Sequence, residues 1–116
     1  MNKITRLRKK ADVLAWRIAV IKKGIDCEIC GEPMDDVHHC YRKGTYPHLR
    51  YDFDNLSILC RECHDKPDYV ILNELDKKRG KKWIKRLNKK AKECDYTCIN
   101  ISFYENNIKA LKLMDI

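Results

Sequence analysis

Two Cys-x2-Cys pairs, CEIC at Cys27 and Cys30 and CREC at Cys60 and Cys63, restrict what this chain can fold into more than any other feature. Two such knuckles supply four thiolates, the donor set of a tetrahedral structural zinc. The chain has seven cysteines, an odd number that fits a reducing compartment and metal better than a disulfide framework. A thioredoxin-like redox pair is the competing reading, but the βαβ context it needs is missing. Buried thiols without metal are a third. The 29 residues between the pairs exceed the usual zinc-ribbon spacing, so that segment must hold something of its own. Zinc-binding free energies of roughly 10–16 kcal/mol exceed the stability of most small domains. Metal is therefore expected to hold this 116-residue fold together. Cys40, Cys94 and Cys98 have no Cys-x2-Cys partner and read as packing residues.

Periodicity places the elements around the knuckles. Ile4, Leu7, Ala11, Leu14, Ile18 and Ile21 recur at steps of three and four, which predicts a helix over 4–22 with one apolar stripe. That stripe either packs on the domain core or, at under three heptads, forms a short homodimer seam. Gly24 ends the helix. Short strands are expected over 36–41 and 56–59. A helix should start near Cys60 or Arg61, break around Pro67 and resume through Leu75. Trp83, Ile84, Leu87 and Ala91 mark one side of a helix over 81–93. Ser102 with Glu105 makes a capping box, so a short extended piece should precede a last helix over about 103–113. The fold class is α+β: a small ββα core stapled by a four-cysteine zinc site, with helices at both ends. Its divisions are a basic amphipathic helix (1–24), the core (25–76) and a basic helix with a helical tail (77–116), together one compact domain. No role is assigned to residues 95–116.

Charge narrows the partner. The net charge is +8 and the pI about 9.2, which favours a polyanion. Residues 77–92 carry ten Lys or Arg and no acid, and residues 1–23 carry eight against one Asp. The 27–65 stretch is net negative, with eight acids against four basic residues. Basic arms can hold phosphates while an acidic centre rich in His and Cys holds a cation, although a lysine run is often only a solvated face. No apolar run approaches the ~20 residues of a spanning helix. Arg17 interrupts VLAWRIAVI, which also argues against a signal peptide. The expected location is cytoplasmic, with nucleic acid as partner and no membrane.

VHHC places His38 and His39 side by side where strand side chains point apart, so they should not easily share one ligand. Asn55 precedes the second strand, and His64 follows nine residues later, directly after the second knuckle. Each has an ordinary explanation: a packed strand histidine, a turn asparagine, a neighbour of the zinc. Together, CEIC…VHHCYRKG…LRYDFDNLSILCRECH resembles the HNH endonuclease family over Cys27 to about Asp65.

That resemblance implies the ββα-metal fold and a bacterial or phage-encoded, metal-dependent DNA endonuclease. His38 and His64 would bind the catalytic divalent cation (Mg²⁺, Mn²⁺, Ni²⁺ or Zn²⁺), His39 would be the general base, and Asn55 would pin the loop between the strands. The products would be a nick with a 5′-phosphate and a 3′-hydroxyl. HCYRKG, LRYDFDN, CRECH and YVILNEL…RGKKWIKRL are further similar to phage NinG/Rap-type recombination nucleases. The adjacent histidines then make physical sense. In-line attack on phosphorus needs nucleophile and leaving group on opposite sides, so a base and a cation must flank the phosphate.

Arg42, Lys43, His48 and Arg50 in the loop, and Lys81, Lys82, Lys85 and Arg86 in the basic run, are candidate phosphate contacts or plain surface charge. Two other functions fit parts of this pattern. One is a non-catalytic zinc-containing nucleic-acid-binding module; the other is an interaction protein working through its N-terminal helix.

Overall fold

The computed structural model describes residues 1–94 and 98–115; residues 95–97 and 116, in the stretch to which the sequence assigned no role, lie outside them. The chain is α+β, with five helices and one two-stranded antiparallel sheet among the described residues. In order these are α1 (Lys3–Lys23), β1 (Asp36–His39), β2 (Leu56–Leu59), α2 (Arg61–His64), α3 (Asp68–Arg79), α4 (Lys81–Ala91) and α5 (Ile101–Met114). Two 3-10 turns, Pro47–Leu49 and Phe53–Asn55, lie in the long connection between the strands.

α1 begins at Asn2, whose side chain accepts the backbone N–H of Thr5, and stops at Gly24, where φ is 90°. Its predicted stripe is used inside the chain. Ala11, Ala15 and Ile18 are buried against Tyr104, Ile108 and Leu111 of α5, while Leu7 and Leu14 are partly buried beside them. Ala19 packs instead with Val37, Leu56 and Ile58 of the sheet. Alanine at 11, 15 and 19 keeps the side of α1 that faces its partners narrow, so backbones approach closely. Homodimerisation through this stripe is not supported, because α5 and the sheet already occupy it. The ends of the stripe were misassigned: Ile4 and Ile21 are 38% and 57% exposed.

The strands pair with Val37 opposite Ile58 and His39 opposite Leu56. Both are shorter than a typical strand, and β1 ends at residue 39 rather than 41. Neighbouring bonds lengthen the ladder. Asp35 donates its N–H to the Leu59 carbonyl, and Cys40 donates to that of Asn55, each at 2.9 Å. β2 is buried on both faces. One side meets α1; Leu59 on the other joins Ile71 and Leu75 of α3 and Trp83 and Leu87 of α4 around the cysteines.

A partly buried ion pair ties this second layer to the first knuckle. Arg79 bonds Glu28 through Nε and a terminal nitrogen, donates to the carbonyls of Asp54 (3.1 Å) and Leu56 (2.7 Å), and stacks on Trp83. Glu28 also accepts the Ser57 hydroxyl at 3.1 Å. Each nitrogen of the guanidinium and both Glu28 oxygens thus have a partner, the condition under which a desolvated ion pair is tolerated.

Two expectations about the C-terminal third need correction. α5 starts at Ile101, with the Asn100 side chain accepting the N–H of Phe103; Ser102 lies inside the helix and is not its cap, and the extended backbone before the helix is that of Asn100 itself. Cys94 and Cys98 are not packing thiols but are joined by a disulfide, their Cα atoms 6.4 Å apart, within ordinary disulfide reach. Cys40 does pack, beside the cysteine-centred core.

Candidate metal and catalytic site

The four knuckle cysteines converge. The sulfurs of Cys27, Cys30, Cys60 and Cys63 all lie within 4.8 Å of one another, and those of Cys30 and Cys60 are 3.5 Å apart. Four sulfurs around zinc at about 2.3 Å would be separated by about 3.8 Å, so the donor set fits that ion. Local structure explains the convergence. Gly31, at φ 83°, lets the first knuckle turn so that its N–H reaches the Cys27 carbonyl (2.9 Å), and Glu28 donates to the Ile58 carbonyl of β2 (2.8 Å). In the second knuckle Cys60 is the N-cap of α2, its sulfur accepting the Cys63 N–H at 3.4 Å. The Asp35 carboxylate takes the Arg61 N–H at 2.7 Å. Burial resists ionisation of Cys27, yet the backbone N–H groups of Cys30, Cys60 and Ile29 outweigh it and lower that thiol to about 6. Burial, reinforced by Cys60, Cys27 and Cys30, pushes Cys63 up instead. Sulfurs this crowded need a cation to ionise together.

The second constellation is built from β1 and the last residue of α2. His38 is buried and meets the ring of His64 edge-on, with centroids 5.3 Å apart. The Oδ2 of Asp36 is 3.9 Å from the Nε2 of His64, so a carboxylate borders the pair. Asp36 was not singled out in the sequence. The available signal was its register, two residues before His38 on the same strand and therefore on the same face. Among the described residues only the cysteines bring three or more such donors together. Two imidazoles suffice where substrate oxygens and water complete the shell. Burial, then the neighbouring His64, holds His38 down to about 4, which keeps a neutral nitrogen available.

His39 points away from His38, as adjacent strand residues must. Its Nε2 is 3.1 Å from the Arg50 carbonyl. A carbonyl only accepts, so Nε2 carries the proton and Nδ1 presents its lone pair. Burial, with Lys43 and the Arg50 guanidinium, lowers its basicity despite that bond. His39 and His64 both line a cavity of about 360 Å³, together with Trp16, Lys43, Arg50 and Tyr51. The two histidines of VHHC thus part company, yet both end near His64.

Asn55 is fully buried and latches the intervening loop. Its Oδ1 accepts the Tyr41 N–H at 2.7 Å, and its Nδ2 donates to the carbonyls of Tyr41 (3.0 Å) and Leu49 (3.2 Å). Leu49 immediately precedes the residue whose carbonyl holds His39. Arg50 itself is clamped by α1: Nε and a terminal nitrogen bond the Asp12 carboxylate at 2.7 and 2.6 Å, and the Tyr51 hydroxyl donates to the same group at 3.0 Å.

The remaining basic candidates divide. Arg42 pairs with Asp68, Lys81 with Asp76, and Arg86 with Asp54. His48 bonds the Lys90 carbonyl, and Lys90 bridges Asp52 and Asp54. Lys43, Lys82 and Lys85 are exposed. Part of the basic run is therefore spent fastening α4 to the 52–54 turn.

A family model described as HNH endonuclease matches residues 27–68. Neither curated proteins nor solved structures gave a match. Among the described residues no helix is long and apolar enough to cross a membrane. The matched segment runs from the first zinc-type cysteine through both strands and His64 to the start of α3, so the chain is similar to HNH endonucleases over residues 27–68.

Proposed function

We propose that the chain is a metal-dependent DNA endonuclease that hydrolyses phosphodiester bonds. The observation carrying this reading is His39, its Nε2 proton bound to the Arg50 carbonyl and its ring in one cavity with His64 and Lys43. Its free Nδ1 is the acceptor that takes the proton from attacking water. His38 and His64 would hold the catalytic cation, with Asp36 as a neighbouring carboxylate. A divalent cation bound there supplies charge stabilisation for the leaving oxygen. Asn55 holds the loop whose Arg50 carbonyl orients His39, so it positions the base without touching substrate. Lys43 is placed to meet a phosphate oxygen, and Lys82 and Lys85 to contact the backbone further away. Arg42, Arg50, Lys81 and Arg86 would have to exchange an acid partner first.

The products are a 5′-phosphate and a 3′-hydroxyl, and one site per chain makes a nick. A role in recombination or DNA processing is part of the same proposal and rests on the resemblance read from HCYRKG and RGKKWIKRL alone. The test is nicking of supercoiled plasmid by zinc-loaded protein with and without Mg²⁺, Mn²⁺ or Ni²⁺, beside folded His39→Ala. Loss of a general base should slow cleavage about 10²–10⁴-fold. Equal nicking by both proteins would refute the role of His39. No nicking by either, with salt-sensitive DNA binding intact, would leave a non-catalytic binding module.

A further inference from the structure

α1 lies outside the HNH segment, and its two sides have different fates. The inner one is consumed by α5 and the sheet. The outer one exposes Lys9, Lys10, Val13, Trp16 and Arg17. Trp16 is 43% exposed and Val13 69%. A tryptophan left half in water gives up much of the stabilisation that full burial would bring. Its place is specific. Trp16 lines the cavity that holds His39, Lys43 and His64, and also an open groove of about 380 Å³ shared with Asp12 and Val13. It stands where the groove meets the cavity. Arg17 is paired with Asp115, Lys43 lines the cavity, and Lys9 and Lys10 are exposed on α1 one to two turns before Trp16.

An aromatic face beside a phosphate-handling cavity, with lysines around it, is the arrangement that binds single strands: bases stack on the ring while cations follow the backbone. In a continuous duplex each base is already stacked between neighbours and its face is hidden. We propose that Trp16 is a stacking platform for an unpaired base of the substrate strand, so that the site prefers DNA with unpaired nucleotides beside the cut over continuous duplex. The inference rests on the nuclease reading for its placement next to the scissile phosphate.

The structure supplies its own reporter. Trp83, the second tryptophan, is 4% exposed and donates its indole N–H to the Asp54 carbonyl, so a fluorescence change on binding reports Trp16. Zinc-loaded protein without other divalent cations is titrated with a mixed-sequence single strand of about 12 nucleotides, within the range of known single-strand sites, and with the same sequence as a blunt duplex. The single strand should quench the emission and the duplex should not. By anisotropy of labelled DNA, Trp16→Ala should weaken single-strand binding about 5- to 150-fold, the range for one lost stacking contact, and leave duplex binding unchanged. Trp16→Phe should recover most of the loss and Trp16→Leu should not. Unchanged single-strand binding by Trp16→Ala, or equal losses on both DNAs, overturns the proposal. Quenching without plasmid nicking would sink the nuclease reading alone; nicking without quenching would sink the platform alone.

Discussion

Replacing Asn55 with alanine removes the latch between the strands without touching either metal constellation. The side chain is fully buried and makes three hydrogen bonds, two donated and one accepted, all to backbone groups of Tyr41 and Leu49. At about 1 kcal/mol net for each bond the loss is about 3 kcal/mol. Some of the stranded groups also stay buried: water can reach the Tyr41 end, but Leu49 is 2% exposed. An unmet buried group adds about 1–3 kcal/mol, so the expected destabilisation is about 4–6 kcal/mol, a large share of the roughly 5–15 kcal/mol of a small domain. For a chain of this length the melting temperature should fall by on the order of 10–25 °C. The assay is urea and thermal unfolding of zinc-saturated protein, followed by circular dichroism. Asn55→Asp should do no better, since it keeps the acceptor but aims a carboxylate oxygen at two carbonyls. A loss below about 1 kcal/mol would refute the latch. Cleavage supplies the second readout. At a temperature where the variant is folded, nicking should still drop, because the Arg50 carbonyl no longer holds His39. Wild-type nicking by folded Asn55→Ala would show that the latch does not position the base.

Two further outcomes follow from the same contacts. Stripping zinc with a chelator should collapse the far-UV circular dichroism and melting transition, since Cys27, Cys60 and Cys63 sit within the core built around α3 and α4; an unchanged melt would defeat the structural role of the metal. Acid should destabilise the zinc-loaded fold beyond the loss of metal. Burial works against the Glu28 charge, but the bonds from Arg79 outweigh it and depress that carboxyl; Arg86 and then Lys90 depress Asp54. A depressed folded pKa contributes stability above the unfolded value of about 4 and loses it as pH falls through the folded value. The melting temperature of Glu28→Gln should accordingly depend less on pH below about 5 than that of the parent, and parallel curves would refute the assignment.

The sequence made some of this legible because the signal was local. Cys-x2-Cys spacing identified the sulfur cluster, and the three-and-four repeat found α1. The stripe failed at its ends for a geometric reason. α1 has 21 residues and α5 has 14, so about 10 Å of α1 overhangs its partner, and Ile4 and Ile21 fall outside the covered length. The start of α5 lies earlier than the spacing predicts because Asn100 and Ser102 are both good caps, and the pairing of Ser102 with Glu105 favours the wrong one. Ion pairs that join distant segments left no trace: Arg86 and Asp54 are 32 positions apart, Arg79 and Glu28 51. A run with ten cations therefore reads as an open phosphate-binding arm until its partners are in view.

His38 and His39 show how far a family segment reaches and where the rest of the chain takes over. Their divergence is dictated by the strand, and the proposed cation ligands His38 and His64 both come from residues 27–68. The tautomer of His39 depends on more. Its Nε2 proton is fixed by the Arg50 carbonyl. Asn55 restrains that residue from one side through Leu49, and Asp12 restrains it from the other through two bonds to the guanidinium. Asp12 is held in turn by the register of α1, whose neighbouring Ala11 and Ala15 are buried against α5. A carboxylate on one terminal helix and the apolar face of the other thus bear on the orientation of one imidazole, which gives the packing of α1 against α5 a consequence beyond stability.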